Sequence, residues 1–195
     1  MENSSNTEGM LITYSGKRIR LDGIKAEDIC LQDIAHALSM ICRFNGHCRR
    51  FFSVAQHSLN CSKYLESQRA PLKLQLYGLL HDASEAYIYD LPKPLKVLIP
   101  GYEELEKKIQ NTIWKAFGLP EPTKEEYGVI KQADVLMLAL ESKKLMAETL
   151  GEDICQPAEI NHESEAASAV EQSFTQRARQ LLSAADTGLA GEEVT

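Results

Sequence analysis

Apolar positions recur at helical spacing along most of the chain. Ile34, Leu38 and Ile41 fall on one face of a helix predicted over about 31–42, and Asn45-Gly46 ends that pattern. Val54, Leu59, Cys61 and Leu65 predict a second helix over about 51–66. Leu72, Leu76, Leu79, Leu80 and Ala83 predict a third over about 71–87. The proline-rich stretch DLPKPLKVLIPGY reads as a structured loop. Leu105, Ile109, Ile113 and Phe117 then form a stripe that stops at Gly118-Leu119-Pro120. Thr123 and Glu126 have the spacing of a capping box and open a long helix, whose buried face is expected to carry Val129, Ala133, Leu136, Met137 and Leu140. A last helix, about 163–182, carries Ala166, Val170, Phe174 and Leu181. The segment LITY-SG-KRIRL, residues 11–21, departs from this rule and reads as two short strands joined at Ser15-Gly16. The pattern predicts an all-α fold, a bundle of about six helices, with a small N-terminal β-hairpin.

No Pro/Gly/Ser linker, repeat or low-complexity block interrupts residues 10–182, so one domain is expected there, with 1–9 and 183–195 as flexible ends. Hydrophobic residues make up 44% of the 195 positions and charged residues 25%, which excludes disordered, collagen-like and membrane-embedded chains. The longest apolar run, Val135–Leu140, is far short of the ~20 residues that span a bilayer. A net charge of −7 argues against a nucleic-acid coat, and neither nucleic acid nor membrane is expected as a partner, while a homo-oligomer stays open. Five cysteines without a CxxC suit free thiols, and the polar start MENSSNTEG has no signal-peptide character. Both features point to the cytoplasm.

The chemistry lies where polar residues interrupt apolar faces. His57 sits within SVAQHS, His81-Asp82 follow the run Leu76–Leu80, and Asp134 sits inside KQADVLMLAL. A carboxylate there is expensive to bury unless it is paired or bound to a cation. Two imidazoles and two carboxylates converging from three helices would form an N2O2 metal site, suited to Mn, Fe, Co, Ni or Zn better than to Ca. Taken singly, each has an ordinary reading: a helical histidine is commonly structural, and Asp134 has Lys131 within reach for a salt bridge. Glu85, three residues after Asp82 and four after His81, would share their face on a continuous helix and suits general acid/base work.

In order and context these residues resemble the H…HD…D signature of the HD-domain metal-dependent phosphohydrolases. The likeness runs from about Asp33 to Leu145 and includes DIAHALSMICRFNGH, FFSVAQHS, LLHDASEAYIYDLPKPLK and KQADVLMLALE. Among HD proteins these phrases look most like the small 5′-deoxynucleotidase-type hydrolases of bacteria and phages. The resemblance implies that His57, His81, Asp82 and Asp134 hold a divalent transition metal and that Glu85 and Asp90 assist at the substrate. It implies that Arg43 meets phosphate and that Phe44 packs a nucleotide. Lys93 and Lys96 lie where further phosphates would reach, and Arg49 and Arg50 crowd the segment of Arg43. His47 reads as a supporting or structural residue, His36 and His162 as structural. The expected activity is removal of phosphate from a deoxynucleoside 5′-monophosphate. The alternatives are cleavage of triphosphate from a deoxynucleoside triphosphate and, in another class, a regulatory module that binds a nucleotide without turnover.

Overall fold

A computed structural model describes residues 9–151 and 160–189 of the chain, with side chains up to residue 184. Residues 1–8 and 190–195 of the ends expected to be flexible lie outside these residues, as does Cys155. The hairpin forms as expected. Strand β1 (Met10–Ile12) pairs antiparallel with β2 (Arg18–Arg20), Leu11 facing Ile19. Ile19 is the residue of β2 that enters the core.

The remainder is helical: α1 (Leu31–Met40), α2 (Val54–Ser67), α3 (Leu72–Leu80), α4 (Glu85–Ile88), α5 (Lys93–Lys96), α6 (Tyr102–Ala116), α7 (Lys124–Leu145) and α8 (Ala167–Leu189). Two capping boxes set helix starts. Thr123 and Glu126 open α7 as expected, and Ser53 and Gln56 open α2, three residues later than the apolar pattern suggested. The one-turn helix α5 lies inside the expected loop. α8 begins after Ala166, which is exposed and whose carbonyl accepts from the first turn, and it continues past residue 182 to Leu189.

α2 is the central element. Every residue from Val54 to Ser62 is buried, including Gln56, His57, Ser58, Asn60 and Ser62. A helix buried all round has to satisfy its polar side chains locally, and α2 does so except at Ser58, whose hydroxyl has no hydrogen-bond partner among the described residues. Gln56 donates to the carbonyl of Glu163, Asn60 exchanges hydrogen bonds with Asn161, and Ser62 accepts from Arg177 of α8. α3 lies close against α2: a Cβ on Gly78 would stand 2.5 Å from Leu65 Cδ1. α7 also packs on α2 and α3, and α1 on α8. On α7 Ala133, Leu136 and Met137 are buried as expected, but the ends of the expected face differ. Val129 is exposed and Ile130 buried, which puts Ile130, Ala133, Asp134, Met137 and Glu141 on the inward side.

The helix expected over 71–87 is broken after Leu80. The Gln110 side chain of α6 inserts at the break: its Nε2 donates to the Leu80 carbonyl at 2.8 Å, and its Oε1 accepts from the Ser84 N–H at 3.0 Å. These two backbone groups would have bonded each other in a continuous helix. Residues 81–87 instead use tighter i→i−3 bonds, including Ala83 to Leu80 and Glu85 to Asp82. Tyr89 follows at φ 72° and ψ 158°, a region nearly reserved for glycine, with its carbonyl held by the Tyr102 hydroxyl at 3.0 Å. Because the Tyr89 ring is half-exposed, Tyr89→Gly should raise stability by about 1 kcal/mol, strain relief of about 1–3 kcal/mol outweighing glycine's entropy. Tyr89→Ala should not. Denaturant unfolding of the two variants checks this.

Candidate metal centre

His57 and His81 are held by their Nδ1 atoms. His57 Nδ1–H donates to both carboxylate oxygens of Glu141, at 3.0 and 3.1 Å, and His81 Nδ1–H donates to the Gly78 carbonyl at 2.9 Å. A carbonyl only accepts, so His81 carries its proton on Nδ1, and the Glu141 carboxylate favours the same for His57. Each Nε2 lone pair is thereby directed inward, and the two Nε2 atoms face each other at 3.3 Å.

The two carboxylates complete the set. Asp134 Oδ1 is 3.1 Å from His57 Nε2 and 3.8 Å from His81 Nε2. Asp82 Oδ2 is 3.2 Å from His81 Nε2 and 3.7 Å from His57 Nε2. These five separations scatter around the ~3.4 Å edge of a tetrahedron with metal–ligand bonds of about 2.1 Å. His57 is completely buried, whereas Asp82 and Asp134 leave 23% and 19% of their side chains exposed, so the set opens on its carboxylate side. There a cavity of about 560 Å³ is lined by His81, Asp82, Asp134, Lys96, Lys107 and Lys131, among others.

The electrostatics fit a cation. Burial alone would raise the Asp134 carboxyl, but His57 and His81 outweigh it and hold it far below the usual carboxylate range. Asp82 is likewise held low, burial being outweighed chiefly by His81. Burial opposes charging His57 and His81, yet both are pushed up, His57 by Cys61, Glu141 and Asp134 and His81 by Asp82 and Asp134. The four groups stabilise positive charge placed among them, whether as protons or as a metal ion.

Around them stands a second ring of charge. Arg43 is buried, with Nε 3.1 Å from Glu141 and Nη1 3.8 Å from Asp82. Burial would lower its pKa, but Glu141, Asp90, Asp82 and Glu85 raise it. Glu85 is buried despite the broken helix, with Oε1 3.7 Å from Lys96 Nζ and Oε2 without a hydrogen-bond partner among the described residues. Burial first, then Asp82 and Asp90, push its carboxyl well above the ordinary range. Burial and Asp82 raise Asp90 as well. Lys96 is committed to Glu106 at 2.6 Å and lines the cavity, while Lys93 is exposed at the start of α5. Phe44 is half-buried with the Arg43 guanidinium 5.3 Å from its ring centre, at φ 56°. Lys131 pairs with the outer oxygen of Asp134 at 2.6 Å, so Asp134 serves both the salt bridge and the convergent set.

Other candidates lie elsewhere. Arg50 donates to the His162 carbonyl, Arg49 and His47 are exposed, and His36 stacks on Tyr14 and bonds Glu171. Sequence reading missed Glu141, Gln110 and Cys61 as parts of the site. Glu141 had a signal: it stands seven residues after Asp134, two turns along the same face, in an apolar stretch.

The fold and site define a helical protein with a convergent, partly exposed His/His/Asp/Asp donor set. The chain belongs to the family of YfdR, an uncharacterized protein of Escherichia coli K12. The two are 44% identical over 133 residues, 68% of this chain and 70% of YfdR. A second relative, the uncharacterized protein RCAP_rcc00048 of Rhodobacter capsulatus, is 34% identical over 140 residues, 67% of this chain and 70% of the relative. No family model matches the chain.

Glu141→Gln keeps an acceptor for His57 Nδ1–H but removes the charge facing Arg43. It should weaken metal binding by ~10–100-fold, the usual effect of losing an outer carboxylate. Glu141→Ala leaves a buried charge uncompensated and should cost ~3–5 kcal/mol of stability. Metal titration against a chromogenic chelator and denaturant unfolding measure the two effects.

Proposed function

We propose that the chain is a metal-dependent phosphohydrolase of the HD type that acts on deoxynucleotides, with deoxynucleoside 5′-monophosphates as its first substrate class. The observation that carries this reading is the pair of Nε2 lone pairs facing each other between two carboxylates. Such a group is repulsive unless a proton or a divalent cation lies among its members. The resemblance of the H…HD…D order to HD phosphohydrolases supplies the reaction class.

His57, His81, Asp82 and Asp134 would hold a transition metal, which when bound would supply positive charge for a phosphoryl oxygen and acidity for an attacking water. Arg43 places a buried cation beside this point. Its Nε stands 3.1 Å from Glu141 and its Nη1 3.8 Å from Asp82, and Nη2 remains for a phosphate oxygen. Glu85, whose carboxyl burial and anionic neighbours push upward, is the first candidate to give a proton to the leaving nucleoside oxygen. Asp90 is the second candidate for that role. Phe44 offers a ring face to the nucleoside. The cavity is of a size ordinary for a small-molecule ligand.

A second reading, triphosphate release from a deoxynucleoside triphosphate, is favoured by Lys96, Lys107, Lys124 and Lys131 along the same cavity. Incubation of the protein with deoxynucleoside mono-, di- and triphosphates and added Mn, Co, Ni, Zn or Fe tests both. Release of inorganic phosphate from monophosphates is expected, and tripolyphosphate from triphosphates identifies the second reading. Chelation should abolish turnover and a transition metal should restore it better than Ca. Full activity in chelator on metal-free protein overturns the proposal. Nucleotide bound and recovered intact with metal present identifies a binding module instead.

Glu85→Gln should retain metal and lose ~10²–10⁴-fold in rate. A Glu85 acid is competent below its raised pKa, so wild-type kcat/KM should fall as pH rises through that value, and the variant should lack this limb. The pH–rate profiles of the two proteins check it.

A further inference from the structure

We propose that Cys61 is an additional ligand of this centre, a sulfur donor that adapts an N2O2 set to softer metals. The inference rests on the metal-dependent reading above and extends it. Cys61 stands one helical turn after His57 on α2, so their side chains share a face. Its Sγ lies 3.6 Å from His57 Nε2, the nitrogen directed inward. The donor atoms of His57, Cys61 and His81 all lie within 4.8 Å of one another. The Sγ to Nε2 separation lies between the ~3.1 Å and ~3.8 Å expected for neighbouring ligands of a five-coordinate zinc with a sulfur at about 2.3 Å and a nitrogen at about 2.05 Å. Cys61 is 1% exposed and backed by Leu136 and Met137 of α7, so its surroundings are apolar except toward the histidines. Cys42 and Cys48, with Sγ atoms 3.5 Å apart, sit on the separate segment that carries Arg43.

Forming the sulfur–metal bond releases the thiol proton to solvent and leaves the oxidation states of sulfur and metal unchanged. Thiolate favours Zn, Co or Fe over Mn or Mg, which prefer oxygen. The site should therefore discriminate among metals more sharply than two imidazoles and two carboxylates would.

The test is the absorption spectrum of the full chain, freed of metal and titrated with Co(II). Wild-type protein should show visible d–d bands together with a near-ultraviolet thiolate-to-cobalt charge-transfer band. Cys61→Ser and Cys61→Ala should keep the d–d bands and lose the charge-transfer band, and the double variant Cys42→Ser, Cys48→Ser should retain both. Cys61→Ser should also lower Zn(II) affinity by about tenfold or more while changing Mn(II) affinity little. Wild-type d–d bands without charge transfer overturn the assignment without recourse to any variant, as does a charge-transfer band that survives loss of Cys61. Absence of any cobalt complex in the wild-type protein overturns the metal-dependent reading itself.

Discussion

Two imidazole nitrogens 3.3 Å apart, both with lone pairs directed inward, set the terms for the rest of the structure. Keeping them there requires an acceptor behind each ring. Glu141 serves His57 and the Gly78 carbonyl serves His81. Both acceptors depend on packing. Gly78 lies where α3 comes close to α2, and Glu141 is on α7 with Asp134, two turns apart. A completely buried carboxylate needs its own counter-charge, which Arg43 provides at 3.1 Å. The chain Arg43–Glu141–His57 thus links the segment between α1 and α2 to the donor set through a buried charge network, and its members cannot be exchanged independently.

Local conformational rules are broken in the same neighbourhood. Phe44, Asn45 and Gly46 are three successive residues at positive φ, directly after Arg43. Tyr89 is in a near glycine-only region directly before Asp90. The α3 helix is broken at His81-Asp82 by a side chain from α6. Each departure costs of order 1–3 kcal/mol unless surrounding structure compensates, and such costs gather where geometry serves a site. The Cys42–Ser53 bridge closes the base of the Arg43 segment, with Arg43 N–H donating to Phe52 and Val54 N–H to Ile41. That clamp holds the strained turn against α2 without help from the turn's own sequence.

Most of the helical framework was legible because α1, α2, α6, α7 and α8 bury continuous stripes that periodicity reports directly. The hairpin was legible from Ser15-Gly16 and alternation. The misreadings have tertiary causes. The break at 81–84 follows from Gln110, thirty residues away from Leu80, and no local pattern in LLHDASEA announces it. Val129 and Ile130 are both apolar, so the sequence leaves open which of the two is buried. The inward orientation of Asp134 and Glu141 decides it. His57, His81, Asp82 and Asp134 were legible as polar interruptions of apolar helices. Glu141 and Cys61 were harder to see, because a glutamate near a helix end and a small cysteine in a buried stripe both have commoner explanations.

The asymmetry of burial also orders approach to the site. His57 is enclosed, whereas Asp82 and Asp134 keep about a fifth of their side chains exposed and border the cavity beside α6 and α7. The same lining mixes Lys96, Lys107, Lys124 and Lys131 with Glu103, Glu106 and Glu121, so charges of both signs border the donor set. Three of those lysines are already paired, Lys96 with Glu106, Lys107 with Glu121 and Lys131 with Asp134, so they tune the carboxylates around them. Lys96 also stands 3.7 Å from Glu85, the buried carboxyl with an unpartnered oxygen. Charge at the mouth and proton affinity at the centre are therefore coupled through one side chain. A change at Lys96 has to be read as a change in Glu85 as well.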